Sequence, residues 1–255
     1  MLTWTFASNN GGEDHGFNDA GIETFKGNLE RYLAREVIQN SLDARADKKK
    51  PVLVKFELIE LDRDNVPDLT GLAETFKHCE KYWPSDQKAK EFFKTAAALA
   101  KGKKSTALRI GDYNTTGVIG GDKERTKNWY YLVRCSGSSS KWGGEGGSFG
   151  IGKNAPFAAS RMRTVLYSTL NSEEEYIFQG VARLVTHERA KVGTAQPTGF
   201  LGDSKSASIR KKKDIPKQFL RKEQGTDLIV LGYQADGTWN TDLTHSVLES
   251  VSKKG

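Results

Sequence analysis

Leu29-Glu-Arg-Tyr-Leu-Ala-Arg-Glu36-Val-Ile-Gln-Asn40-Ser-Leu-Asp43-Ala-Arg-Ala46 is the stretch whose reading decides the rest of this chain. Asn28 precedes it as a candidate cap, and neither Gly nor Pro interrupts it, so residues 29–46 read as a helix. At about 100° per residue, Glu36, Asn40 and Asp43 share one narrow arc, flanked by Leu33, Val37 and Ala44 that can anchor the helix in a core. Two carboxylates and an amide on a half-apolar face are costly to bury without partners. A divalent metal, a phosphate tail and a water would supply them. The plainer alternative is an amphipathic helix with an ordinary polar face.

Working outward, Leu2, Trp4 and Phe6 alternate with Thr3 and Thr5 in a short strand, followed by an Asn-, Gly- and Asp-rich loop over residues 8–21. Beyond the helix, Lys48, Lys49, Lys50 and Pro51 make a turn, and residues 52–59 alternate as a strand. Residues 64–104 read as an inserted helical segment with Phe76, Trp83, Phe92 and Phe93. The adjacent His78 and Cys79 there diverge on a helix and have no second pair, which argues against a metal site. Thr106–Ile110 reads as a strand ending in Gly111-Asp112-Tyr113-Asn114-Thr115-Thr116-Gly117. An aspartate at a strand end can accept a hydrogen bond from the exocyclic amine of adenine, and an Asx-type turn is the competing reading.

Residues 118–146 combine glycines, polar residues and the aromatic block Trp129, Tyr130 and Tyr131, and read as largely mobile. Gly146-Gly-Ser-Phe-Gly-Ile-Gly-Lys-Asn-Ala-Pro-Phe-Ala-Ala159 is a glycine-rich loop running into a helix start. Such a loop offers unpaired N–H groups to an anion, and Lys153 adds a point charge. The same residues nearly fit the P-loop pattern. Asn154 stands where that motif needs a hydroxyl for Mg²⁺, and no buried strand precedes the loop, so the P-loop is rejected. Residues 162–170 and 175–186 read as a hairpin, residues 188–222 as an exposed basic loop, and Gly225-Thr226 opens an apolar strand. A last helix is expected over residues 243–251.

With 255 residues, 36% hydrophobic and 28% charged, the chain suits one large soluble domain with its own core. No segment is apolar over the length a bilayer requires, and no signal peptide is evident. Two cysteines without a CxxC point to a reducing cytoplasm and against structural zinc. The net charge of +7 is compatible with a phosphate ligand or DNA and establishes neither.

Glu36 to Ala44 closely resembles the N-box of the GHKL ATPases (gyrase-type topoisomerases, ninety-kilodalton heat-shock chaperones, histidine kinases and MutL), nearest the MutL and MORC branch. Asp112 resembles the aspartate of that family's D-x-G-x-G motif, although Asn114 replaces the first glycine and Gly117 comes one position late. Residues 147–152 match the second glycine motif, G-x-x-G-x-G, in full, and Gly225-Thr226 resembles the last nucleotide motif. The resemblance covers residues 2–233 and implies an α/β Bergerat fold: a two-layer sandwich, a mixed sheet with helices on one face.

It further implies Mg-dependent ATP binding and slow hydrolysis. Glu36 would be the general base, Asn40 the Mg²⁺ ligand, and Asp43 either part of a water network at the base or a support for the helix. Asp112, Gly117 and Thr226 would take adenine; Gly147, Gly150, Ile151, Gly152 and Lys153 would cradle the phosphates; an ATP lid would span residues 113–146. The implied partners are a second copy, joined through the lid and N-terminal strand when nucleotide binds, DNA, and a further domain or protein donating a Lys or Arg. A regulatory nucleotide-binding module without hydrolysis, or a chaperone-like ATPase, stands as the alternative.

Overall fold

A computed structural model describes residues 2–25, 27, 29–135, 152–190, 192–203, 206–235, 240, 241, 243–245 and 247. In chain order these form β1 (Thr3–Ser8), α1 (Ala20–Glu23), α2 (Leu29–Asp43), β2 (Leu53–Asp62), α3 (Leu69–Tyr82), α4 (Gln87–Lys101), β3 (Lys104–Tyr113), α5 (Ala155–Ala158), β4 (Thr164–Leu170), β5 (Tyr176–Arg183), β6 (His187–Arg189), β7 (Gly193–Gly202) and β8 (Gly225–Leu231), with short 3₁₀ and π turns between them. The chain is α/β, built on one eight-stranded sheet in the order β1-β7-β5-β4-β8-β3-β2, with β6 paired to β7.

Two features of the expected sandwich are corrected. Every strand pairing among the described residues is antiparallel, so the sheet they form is not mixed. Nor are the helices confined to one face. Adjacent residues of a strand point to opposite faces; Leu166, Phe178, Ile229 and Leu231 join one core cluster with α3 and α4, while their neighbours Val165, Ile177 and Val230 join clusters containing residues of α1, α2 and α5. The inserted helices therefore form a third layer, and the central strands β4 and β5 are buried along almost their whole length. Asp68 and Asp86 cap α3 and α4, accepting from Gly71 N and Ala89 N at 3.1 and 3.0 Å.

The expected exposed loop over residues 188–222 is also corrected, because β7 and most of β6 lie within it. Pro197 and three glycines hide β7 in the sequence. The register with β1 shifts between Phe6 and Ser8, opposite Gly199 and Ala195, which puts Pro197 in the irregularity, where its missing N–H costs no ladder bond. Gly199 and Gly180 lie where a Cβ would collide with Phe6 and Trp4.

The leading helix ends at Asp43 and not at Ala46. Its tail is captured by the loop after β3: Thr116 N donates to Ala44 O at 2.7 Å, Ala46 N to Asn114 O at 3.0 Å, and Arg45 bridges Thr115. This stitching fixes α2 against the end of β3. Asn28, and much of the segment expected as a final helix over residues 243–251, lie outside the described residues.

Candidate functional site

Asp112, half-buried at the end of β3, receives three hydrogen bonds. Its Oδ1 accepts from Thr115 Oγ1 and from Thr226 N, both at 2.7 Å, and its Oδ2 accepts from Ser41 Oγ at 3.2 Å. The sheet dictates the second contact: β8 runs antiparallel to β3 with Gly111 opposite Asp227, so Thr226 falls beside Asp112. On the other side of β8, Thr226 lies opposite Thr169 in β4, and their hydroxyls meet at 3.0 Å. Gly225 has φ +133°, and a Cβ there would overlap the Asp112 carbonyl oxygen, which explains a glycine before the threonine. A carboxylate offers about four acceptor positions, so the described bonds leave Asp112 one for an exocyclic amine.

The loop after Asp112 turns on two residues with left-handed backbone, Asn114 and Gly117. Asn114 adopts φ 58°, the left-handed conformation a glycine would take there and that asparagine tolerates best after glycine. Its side chain accepts from Asp47 N at 3.0 Å and donates to the carbonyls of Asp47, Lys50 and Pro51, which locks the turn after α2. Gly117, φ +65°, then lets the backbone cross the end of β4, where a Cβ would press on Leu170 O and Thr169 Oγ1 at 2.8 Å.

Buried Ser41 is a neighbour of Asp112 that sequence reasoning passed over. The signal was present: Leu33, Val37 and Ser41 follow one another at four-residue spacing on the anchored stripe of α2, so the hydroxyl had to find a buried partner.

Next to Ser41 on α2, Asn40 Nδ2 donates back one turn to Glu36 Oε1 at 3.2 Å, leaving the Asn40 carbonyl oxygen as the atom able to take a cation. The Glu36 carboxylate lies against Gly152, where a side chain would have to stand. Glu36 is half-buried, and Asn40 and Asp43 are exposed. The structure therefore brings Ser41, Asp112 and Thr226 together at the C-terminal end of α2, with Gly117 in the loop beside β4, and places Glu36, bonded to Asn40, against Gly152 at the middle of the same helix. Gly147, Gly150 and Ile151 lie outside the described residues.

Lys153 is held by backbone carbonyls. Buried, it donates from Nζ to the carbonyls of Tyr131 at 3.0 Å and Cys135 at 2.5 Å. Burial, then the charge of Arg183, pushes its ammonium down to about 8. Asn154, the residue that spoils the P-loop pattern, accepts from Arg183, whose guanidinium lies over the Phe157 ring at 4.5 Å.

The described part of the expected lid, up to Cys135, is tied to the body of the domain by side chains. Trp129 is fully buried and donates from Nε1 to Asp122 Oδ1 at 2.7 Å. Asp122 Oδ2 accepts from Ser208 N at 2.8 Å and pairs with Arg134 at 3.2 Å. Burial alone would raise the Asp122 carboxyl, but the donors from Ser208 and Trp129 and the Arg134 charge prevail and hold it below the usual range. Residues 136–146 of the lid lie outside the described residues. Behind the site, Arg221 forms a buried pair with Asp227 and donates to Asp112 O at 2.6 Å.

A scan against protein-family models and a search of curated proteins return no match to this chain.

Proposed function

We propose that this chain binds ATP with Mg²⁺ and hydrolyses it slowly, as a GHKL-type domain. One observation carries the reading. A single helix holds Ser41 against Asp112 at 3.2 Å and, more than one turn earlier, sets the Glu36 carboxylate beside Gly152, with Asn40 donating to it at 3.2 Å. A purine at the Asp112 end and a triphosphate at the Glu36 end would both be served by that one rigid element.

The chain's own groups divide the work. Asp112, with its Oδ1 saturated by Thr115 and Thr226, accepts from the exocyclic amine through Oδ2. The fixed network discriminates a donor at that position from the carbonyl of guanine, since two acceptors would face each other. Glu36 takes the proton of a water, and the Asn40 amide orients the carboxylate for it. Mg²⁺, held at Asn40, would neutralise phosphate charge. Gly152 keeps the backbone close to Glu36 with no Cβ between them. Because Lys153 is committed to two carbonyls, charge developing on the phosphates is left to a Lys or Arg from a further domain or partner, hence the slow turnover.

The test compares phosphate release and fluorescent-nucleotide binding for wild type and Glu36→Ala. Removing a general base costs about 10²–10⁴ in rate; the variant is expected to bind nucleotide within about threefold of wild type while release falls by at least 10². Retained turnover in Glu36→Ala overturns the assignment of the base.

A further inference from the structure

We infer that the β2 edge of the sheet is a self-association surface that takes β2 of a second copy in antiparallel register. This does not rest on the nucleotide reading. Along its main strand order the sheet ends in β1 and β2, with the three-residue β6 paired only to β7. The β1 edge is closed by side chains: Trp4 N donates to Asp68 Oδ2 at 2.8 Å and Trp4 O accepts from Arg189 at 3.3 Å. The β2 edge is not. Its ten residues pair with β3 from Leu53 to Asp62, and among the described residues no backbone group of β2 is bonded outside that ladder. In an antiparallel edge strand, alternate residues turn their N–H and C=O groups outward, ready for another strand.

Exposed apolar side chains also lie on the strand itself. The large hydrophobic side chains left exposed among the described residues are Tyr32, Leu42, Leu53 and Leu58. Two lie on β2, and the other two lie on α2, whose Leu33 and Val37 share a cluster with Val54 and Phe56 of β2.

The occupant follows from the sequence of the strand. A two-fold axis normal to the sheet sets residues opposite one another on the same face, so their numbers must sum to an even value. Centred on Phe56, this register pairs Leu53 with Ile59, Val54 with Leu58 and Lys55 with Glu57, each twice, and Phe56 with itself. Apolar meets apolar, and positive meets negative, in both halves. Lys55 and Glu57 are exposed, and Lys55 rests over the Tyr113 ring at 5.0 Å, from which an exposed side chain can be re-aimed. A charged edge is also a known way of refusing a partner. The mirrored charge order distinguishes the two, because repulsion of a second copy would call for like charges opposite one another.

Sedimentation velocity over a concentration series tests this with the whole chain. Wild type is expected to dimerise without nucleotide. Lys55→Glu and Glu57→Lys each turn two attractive cross-strand pairs into repulsive ones and should each weaken the dimer by roughly tenfold or more. The double variant Lys55→Glu/Glu57→Lys should recover wild-type association, and an equimolar mixture of the two single variants should form a heterodimer. Recovery in the mixture cannot come from misfolded chains. Wild type that stays monomeric at every concentration, single variants that associate like wild type, or a double variant that does not recover would each overturn the inference.

Discussion

Gly152→Ala isolates the closest juxtaposition in the site. The Gly152 backbone does not use a left-handed φ, so alanine is conformationally acceptable there. The added Cβ would nevertheless land on the Glu36 carboxylate, well inside any ordinary van der Waals contact. Restoring such contact requires the carboxylate to move by about 1 Å or more, which breaks the 3.2 Å bond from Asn40. That bond is exposed, so its loss should change global stability by less than about 1 kcal/mol. Misplacing a catalytic group by 1 Å can cost about 10²-fold in rate. Single-turnover phosphate release should therefore drop about 10²-fold in Gly152→Ala with little change in melting temperature. The effect must also be non-additive: Gly152→Ala/Glu36→Ala should be no slower than Glu36→Ala, because both act through one group. A single variant releasing phosphate within about threefold of wild type, or a double variant slower than Glu36→Ala by the full 10², would refute the reasoning.

Three further outcomes follow from the same geometry. Ser41→Ala removes a donor shared between Val37 O and Asp112 Oδ2, and should cost about 1 kcal/mol by urea denaturation and weaken ATP about five- to tenfold; unchanged affinity would mean Ser41 does not set the Asp112 carboxylate. Asp227→Asn leaves the Arg221 guanidinium, 4% exposed, without its counter-charge and should lose about 3 kcal/mol in the same assay, whereas a loss below about 1 kcal/mol would show that the surrounding carbonyls suffice. His187 is fully buried, and burial pushes its imidazole down from 6.5 to about 4. The unfolded chain then binds the proton more readily, so stability should fall by about 3 kcal/mol as pH drops from about 6.5 to 4; a pH profile of His187→Leu no shallower over that window would contradict it.

Much of the order of elements was legible because the local patterns carry their own physics. The apolar stripe of α2, the alternation of β2 and β3, and the Asn171-to-Glu174 turn between β4 and β5 can each be read in isolation. What escaped depends on partners distant in sequence. The strand β7 escaped because Pro197 and its glycines resemble a loop until β1 and β5 are seen on either side. The third layer escaped because nothing within α3 or α4 says which face of the sheet they cover. In the site, the carboxylates and glycines were visible as residue types, whereas Ser41, Thr115 and Thr169 matter only through the atoms opposite them. Asn114 looked like a fault in the motif; its backbone is left-handed, a conformation that glycine also takes readily.

The central claim is that Asp112 receives a purine nucleotide. Calorimetric titration of Mg·ATP into wild type and Asp112→Asn tests it most directly, since the asparagine keeps the shape but turns one acceptor into a donor. Saturable one-to-one binding to wild type, weakened by at least about tenfold in the variant, is the result predicted here. No heat of binding with wild type, or equal affinity in both proteins, would contradict it.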